Sequence, residues 1–324
     1  MLKSLYSGVS GMKGFQTKMD VIGNNIANVN TVGFKKSRVV FQDIISQNIK
    51  GATPPSDTRG GVNPMQIGLG SKISAIDNVH TPGSPMSTNI GSDLAIDGDA
   101  FFVLTPDAPN LPGAGYSLEN MPTYLTKAGN FGLDADGYLV NSNGFFVTGV
   151  RENPGNTLDP YDRVKIKINE DATDPANPKK IISYSIDTNG YINVVNEDGK
   201  SGQLAFNGTD YFLSTPTTPK DQLISLGTAV VPNPAGLKKV GNTMFEVTQN
   251  AMTDSASTSD TEPIISRIAD NKGGQMNSGM LEMSNVDLTE EFTEMIIAQR
   301  GFQANSRTIT TSDSILEEIV NLKR

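Results

Sequence analysis

The sequence predicts an α+β fold: a discontinuous, coiled-coil-like helical domain made from both chain ends, with a mostly antiparallel β domain inserted between them. Three observations predict it. All 18 prolines fall between Pro54 and Pro263, and proline breaks helix interiors, so the two ends are free to be helical. Each end repeats apolar residues every seven positions, the spacing that packs helices side by side. The middle is punctuated by Asp-Gly and Asn-Gly pairs between short apolar runs, the mark of tight hairpins.

At the N-terminal end Leu5, Met12, Met19 and Ile26 fall seven apart, flanked by Leu2, Val9, Phe15, Ile22 and Val29. At the C-terminal end Leu288, Met295, Phe302, Ile309 and Leu316 do the same, with Phe292 one turn beyond the first. These seams define an expected helical assembly domain of residues 1–30 plus 285–324. The ends also differ in charge. Residues 1–50 hold seven Lys/Arg against two Asp/Glu, and residues 281–324 hold four against eight. Opposite charge favours pairing, though each exposed ion pair contributes little. Gly8, Gly11, Gly14 and Gly23 should each weaken an isolated helix by up to about 1 kcal/mol. The expectation is therefore that the ends order only when buried against neighbours.

Residues 31–70 read as an extended connector and 71–284 as a β-rich outer body, within which 151–226 forms a small outer insertion. Turn pairs occur at Asp97-Gly98, Asp136-Gly137, Asn143-Gly144, Asn189-Gly190, Asp198-Gly199 and Asn207-Gly208. Val164, Ile166 and Ile168 alternate with polar residues, as do Ile182, Tyr184 and Ile186. Such alternation suits antiparallel strands with one buried face. Stretches at 51–64, 105–122, 153–160, 171–180 and 214–222 read as loops.

Composition excludes several functions. A net charge of −9 opposes nucleic-acid binding through phosphate neutralisation. With no cysteine and a single histidine, His80, neither a thiolate nor a histidine metal site can be built, and no cofactor is expected. His80 reads as a surface or satisfied core residue. No apolar run approaches the roughly 20 residues of a membrane span, and the N-terminus does not read as a cleaved signal.

Short chemical motifs are weak. Ser10-Gly-Met-Lys13 fits S-x-x-K but lies in a predicted helix without its companion motifs. Asp134-Ala-Asp136-Gly137 and Asp187-Thr-Asn189-Gly190 resemble calcium-loop starts, yet their glycines stand at loop position 4 rather than 6. Hairpin turns account for both. Glu290-Glu291 and Glu317-Glu318 read as solvated helix faces. No catalytic residue is expected.

The stretch Asn24-Asn-Ile-Ala-Asn-Val-Asn-Thr-Val-Gly-Phe-Lys-Lys36, preceded by Leu5-Tyr-Ser-Gly-Val-Ser-Gly-Met12, resembles the N-terminal signature of the bacterial flagellar axial proteins, the rod, hook and hook-associated subunits. Leu281-Glu-Met-Ser-Asn-Val-Asp-Leu288 and Ala298-Gln-Arg-Gly-Phe-Gln-Ala-Asn-Ser306 continue the likeness at the other end. Asp93-Leu-Ala-Ile-Asp-Gly-Asp99 and Asn233-Pro-Ala-Gly-Leu237 add to it from the body. Within the family, Val286-Asp-Leu-Thr-Glu-Glu-Phe292 and the ending Asn321-Leu-Lys-Arg324 look most like hook subunits. Distal rod subunits come next, because the loop from Gln47 to Gly70 is similar to a segment they carry.

The resemblance implies a structural subunit exported by a type III apparatus and polymerised into a curved tube, a universal joint passing motor torque from rod to filament. Implied partners are further copies of itself, the distal rod protein, the hook cap protein, the hook–filament junction protein and the export apparatus. The implied location is the flagellum, outside the cell after export. Asn24, Asn25, Asn28 and Asn30 then end the first helix and offer amides to neighbouring subunits, with Gly33 at a left-handed position beside Phe34. Two other classes stay open: a secreted cell-wall enzyme with borrowed axial ends, and an adhesin module whose helices pair only within one chain.

Overall fold

The computed structural model describes residues 2–55, 59–106, 123–152, 161–171, 179–207, 210–215, 218–252, 265–271 and 273–322. The loops expected at 105–122, 153–160 and 171–180 fall mostly or wholly outside them, as does Gly208 of one turn pair. The fold is mostly antiparallel β with a helix at each end. Helix α1 spans Leu2–Ala27, α2 is the short Ile268–Asn271, and α3 spans Leu288–Leu322. The chain divides into two compact units, one of Met1–Val29, Lys36–Val79 and Val286–Arg324, the other of Asn30–Lys35 and His80–Asn285.

In the first unit α1 packs on α3. The stretch expected as an extended connector carries strands. Ser37–Asp43 pairs antiparallel with Ser71–Asn78, and Ser46–Lys50 pairs with Met65–Gly68 in a second ladder. Proline-free sequence alone does not explain where α3 begins; Asp287 does. Its Oδ1 accepts the backbone N–H groups of Thr289 at 2.8 Å and Glu290 at 3.3 Å, satisfying two donors that the first turn leaves open. Those bonds hold its carboxyl below the usual carboxylate range.

The second unit is built on one eleven-stranded sheet. Its main path runs Lys238–Gly241, Met244–Glu246, Tyr124–Thr126, Phe101–Thr105, Phe146–Glu152, Leu139–Val140 and Gly132–Leu133. The run Phe101-Phe-Val-Leu104 is apolar throughout because both of its faces are covered. Phe102 and Leu104 enter one core with Leu139, Val147 and Ile166, while Phe101 and Val103 enter a second with Leu125, Val150 and Phe245. Period-two alternation sends successive side chains to the two cores.

The stretch expected as an outer insertion holds a five-stranded antiparallel sheet from Glu170–Asp171 to Tyr211–Leu213. Two of its hairpins close where the turn pairs predict, at Gly190 and Gly199. At Asp187–Tyr191, Gly190 sits at φ +81° and its N–H donates to Asp187 O at 2.9 Å. Gly137 does the same against Asp134. The two calcium-like stretches are thus hairpin turns.

Candidate functional site

The residues singled out by sequence gather on α1, α3 and the turn after α1. Along the two helices, Gly8 lies against Ile309, Gly11 against Asn305, Phe15 against Gly301 and Lys18 against Glu294. The order runs in opposite directions, so the helices pack antiparallel. Gly8 and Gly11 of α1 and Gly301 of α3 let them approach closely, and Gly14 makes room for Phe41 of the first strand. A Cβ on Gly11 would stand 2.7 Å from Asn305 Nδ2, one on Gly14 would stand 2.7 Å from Phe41 Cε1, and one on Gly301 would stand 2.6 Å from Phe15 Cζ. What reads in the sequence as a weakened helix is a smooth seam for a partner in the same chain. Gly23 is different, with nothing within 4 Å of its Cβ position.

The opposite charges of the ends meet at Lys18–Glu294 (2.9 Å) and Lys36–Glu290 (2.8 Å). Both pairs are partly exposed and contribute modestly. The stronger tie is Asn25. It is buried, its Nδ2 donates to Ser37 O at 2.9 Å and to Glu291 Oε2 at 3.1 Å, and its Oδ1 accepts Ser37 N–H at 3.0 Å. One amide thus joins α1, the first strand and α3. Burial pushes the Glu291 carboxyl up, and the Asn25 bond partly offsets this.

The other asparagines have different settings. Asn28 Nδ2 bonds back to Asn24 O at 2.9 Å, closing the helix end, and Asn24 and Asn30 are exposed. Gly33 takes φ +69°, as a left-handed turn position requires, and its N–H donates to Glu282 O at 2.8 Å. A Cβ there would meet Ala128 N at 2.5 Å. Phe34 lies half-buried beneath the Lys239 ammonium, 4.7 Å from the ring centre.

The apolar seams split in two. Ile22 is buried, and Leu5, Met12, Phe15, Met19, Ile26, Met295, Phe302, Ile309 and Leu316 are half-buried. Val9, Leu288 and Phe292 are exposed, and the side chain of Leu2 lies outside the described residues. Heptad reading missed the rest of the outward face: Tyr6 (72% exposed) on α1, and Ile296, Ile297 (57%), Ile315, Ile319 and Val320 (63%) on α3. Ile296 lies four residues from Phe292, and Ile319 and Val320 lie three and four from Leu316, whereas Ile297 and Ile315 fall outside that spacing. Missed as well was the ribbon of Ser46–Lys50 and Met65–Gly68, where Ile49, Met65 and Ile67 are exposed on its strands and Ile44, Ile45 and Val62 are exposed on the chain flanking it. Isolated ribbons of this kind are marginal in water.

Three family models match the chain in register with these elements. One described as flagella basal body rod protein covers residues 5–35, one described as flagellar hook protein FlgE/F/G D1 domain covers 95–194, and one described as flagellar basal body rod FlgEFG protein C-terminal covers 277–322. The flagellar basal-body rod protein FlgG of Bacillus subtilis is 44% identical over the whole of both chains. The chain belongs to the flagellar rod and hook protein family. The Borreliella burgdorferi hook protein FlgE is 33% identical over all of both chains, and the FlgG rod protein of the same organism is also 33% identical over both. This flagellar rod and hook family member is a structural component of the bacterial flagellum rather than an enzyme. None of its described helices is long and apolar enough to cross a membrane.

Proposed function

We propose that the chain is a self-assembling subunit of the flagellar axial tube, with its terminal helices forming a discontinuous, coiled-coil-like inner domain. The observation that carries this reading is the set of exposed apolar residues on α3 and on the ribbon after α1, in a chain whose second unit keeps two full cores. Large exposed apolar faces mark protein–protein contact. Their occupant is a second copy, because a helical array brings every outward face against another subunit. Asn24, exposed in the last turn of α1, and Asn30, exposed three residues past its end, supply polar contacts at the same junction. The assembly residues are those of the two seams together with Ile296, Ile297 and Val320.

Within the family, length supports a distal rod subunit over the hook subunit that the terminal motifs most resemble. The alignment to the Bacillus FlgG rod protein spans 327 positions, close to the 324 residues here, whereas that to the Borreliella hook protein spans 463. The hook reading rests on Val286-Asp-Leu-Thr-Glu-Glu-Phe292 and Asn321-Leu-Lys-Arg324. Export through a type III apparatus, and end-to-end contact with other axial, cap and junction proteins, follow from either reading.

Electron microscopy of the purified chain under polymerising conditions tests both. Straight tubes from the wild type, absent from Phe292→Glu and Ile297→Lys, support the rod reading; curved tubes restore the hook. A wild type that stays monomeric at high concentration, or variants that polymerise normally, overturns assembly through α3.

A further inference from the structure

The lone histidine sits in a setting that assembly does not explain. The chain passes from the first unit to the second between Val79 and His80. The His80 ring lies 5.7 Å from that of Phe101 and 5.2 Å from that of Phe245. Both its nitrogens are buried without a hydrogen-bond partner, although the Pro234 carbonyl is near enough to favour a proton.

Three nearby segments bring ammonium groups. Lys35, from the turn after α1, is fully buried; its ammonium donates to Thr81 O at 2.8 Å and pairs with Glu282 at 2.6 Å. Lys127 follows the strand Tyr124–Thr126, is also buried, and donates to Gly98 O at 2.6 Å, with Asp97 and Asp99 nearby. Lys239, on the strand Lys238–Gly241, donates to Lys35 O at 2.9 Å. Glu282 is the buried carboxylate of the group. Its Oε1 accepts Lys35 and the Gly83 N–H at 2.9 Å, while Oε2 has no partner. Three ammonium groups already act on His80, and only Lys35 and Lys127 are offset by the buried Glu282 carboxylate, so a protonated His80 adds a fourth cation.

We propose that His80 is an acid-released latch: neutral, it holds residues 80–84 in the phenylalanine slot, and protonated, it leaves the slot and frees that segment. The segment is otherwise tied by Lys35 to Thr81 O, Asn285 to Thr81, Gly83 N–H to Glu282, and the Met283 N–H to Ser84 O at 3.0 Å. Burial and the repulsion of Lys35, Lys239 and Lys127 push the imidazole down from 6.5 to about 4. Sign follows from that direction. The freed segment binds the proton more tightly than the latched one, so latching is complete above pH 6.5 and weakens as pH falls toward 4. The gap of 2.5 pH units corresponds to an increase of up to roughly 300-fold in opening.

Because the chain has one histidine, its ring resonances report it alone. In the full-length monomer, the expected result is a ring titration near pH 4 in the wild type. The protection factor of the Gly83 amide should fall by up to about 80-fold between pH 6.5 and 4. His80→Phe, which fills the slot without a titrating group, should remove most of that fall. Titration near 6.5 overturns the latch. So does an undiminished fall in His80→Phe, which assigns the acid response to another group. Should His80→Phe not fold, His80→Gln serves as the second non-titrating variant, with the same two outcomes.

Discussion

Two glycine-to-alanine changes on the terminal helices should have opposite signs. In a helix interior alanine is favoured over glycine by about 0.8–1.0 kcal/mol. At Gly23 nothing lies within 4 Å of the new methyl group, so Gly23→Ala should stabilise the first unit by up to about 1 kcal/mol. At Gly301 the methyl carbon would stand 2.6, 2.8 and 2.9 Å from three carbons of the Phe15 ring. Carbon pairs pack at about 3.5–4.0 Å, so the ring must retreat by roughly 1 Å. Overpacking of this kind costs about 1–3 kcal/mol, against the same propensity gain. Gly301→Ala should therefore be neutral to destabilising by about 2 kcal/mol. The assay is urea unfolding of dilute monomer followed by far-ultraviolet circular dichroism, which weights the helices. Adding Phe15→Leu to Gly301→Ala should recover part of the loss. Equal stabilisation by both alanines would refute the close α1–α3 seam.

Other outcomes follow from the second unit and the outward faces. Glu282→Gln leaves the buried Lys35 ammonium without its counter-charge and should destabilise the unit by about 3–5 kcal/mol, read by urea unfolding. Ile297→Lys should shift the monomer by less than about 0.5 kcal/mol while abolishing tube formation; equal loss of both would mean that the residue is structural. Lys127 is held down from 10.5 to about 8 by burial. Its folded form binds the proton less tightly than the unfolded form, so this penalty is present below pH 8 and fades toward 10.5. Unfolding free energy should accordingly rise between pH 8 and 10, and Lys127→Met should flatten that rise. Above pH 10 the trend turns. Burial raises the Tyr161 and Tyr211 hydroxyls, and the unfolded chain ionises first there.

The heptads at Leu5–Ile26 and Leu288–Leu316 were visible because a helix repeats its faces at short range. The hairpins at Gly137 and Gly190 were visible because a left-handed turn needs a particular residue at a particular step. The strand Phe101–Thr105 read as apolar without revealing that it separates two cores. Asp287 could have been read as a cap from the Asp-Leu-Thr-Glu spacing alone.

Other features were not legible because they join residues far apart in the chain. Lys35 and Glu282 are separated by 247 positions, and a lysine beside a glycine and a phenylalanine reads as surface. His80 was expected to be satisfied or exposed; its ring nitrogens are buried and unpaired.

By itself the sequence determined the element types, the helical ends, the absence of thiolate chemistry and the family signature, since each depends on local periodicity, composition or a contiguous motif. Tertiary structure decided which face of each helix is consumed. Gly8 and Gly11 of α1 meet α3 of the same chain, so part of each seam is spent within the subunit, and Phe292, Ile296 and Ile297 are left outward. That choice rests on steric fit between surfaces more than 280 residues apart, which no local pattern encodes.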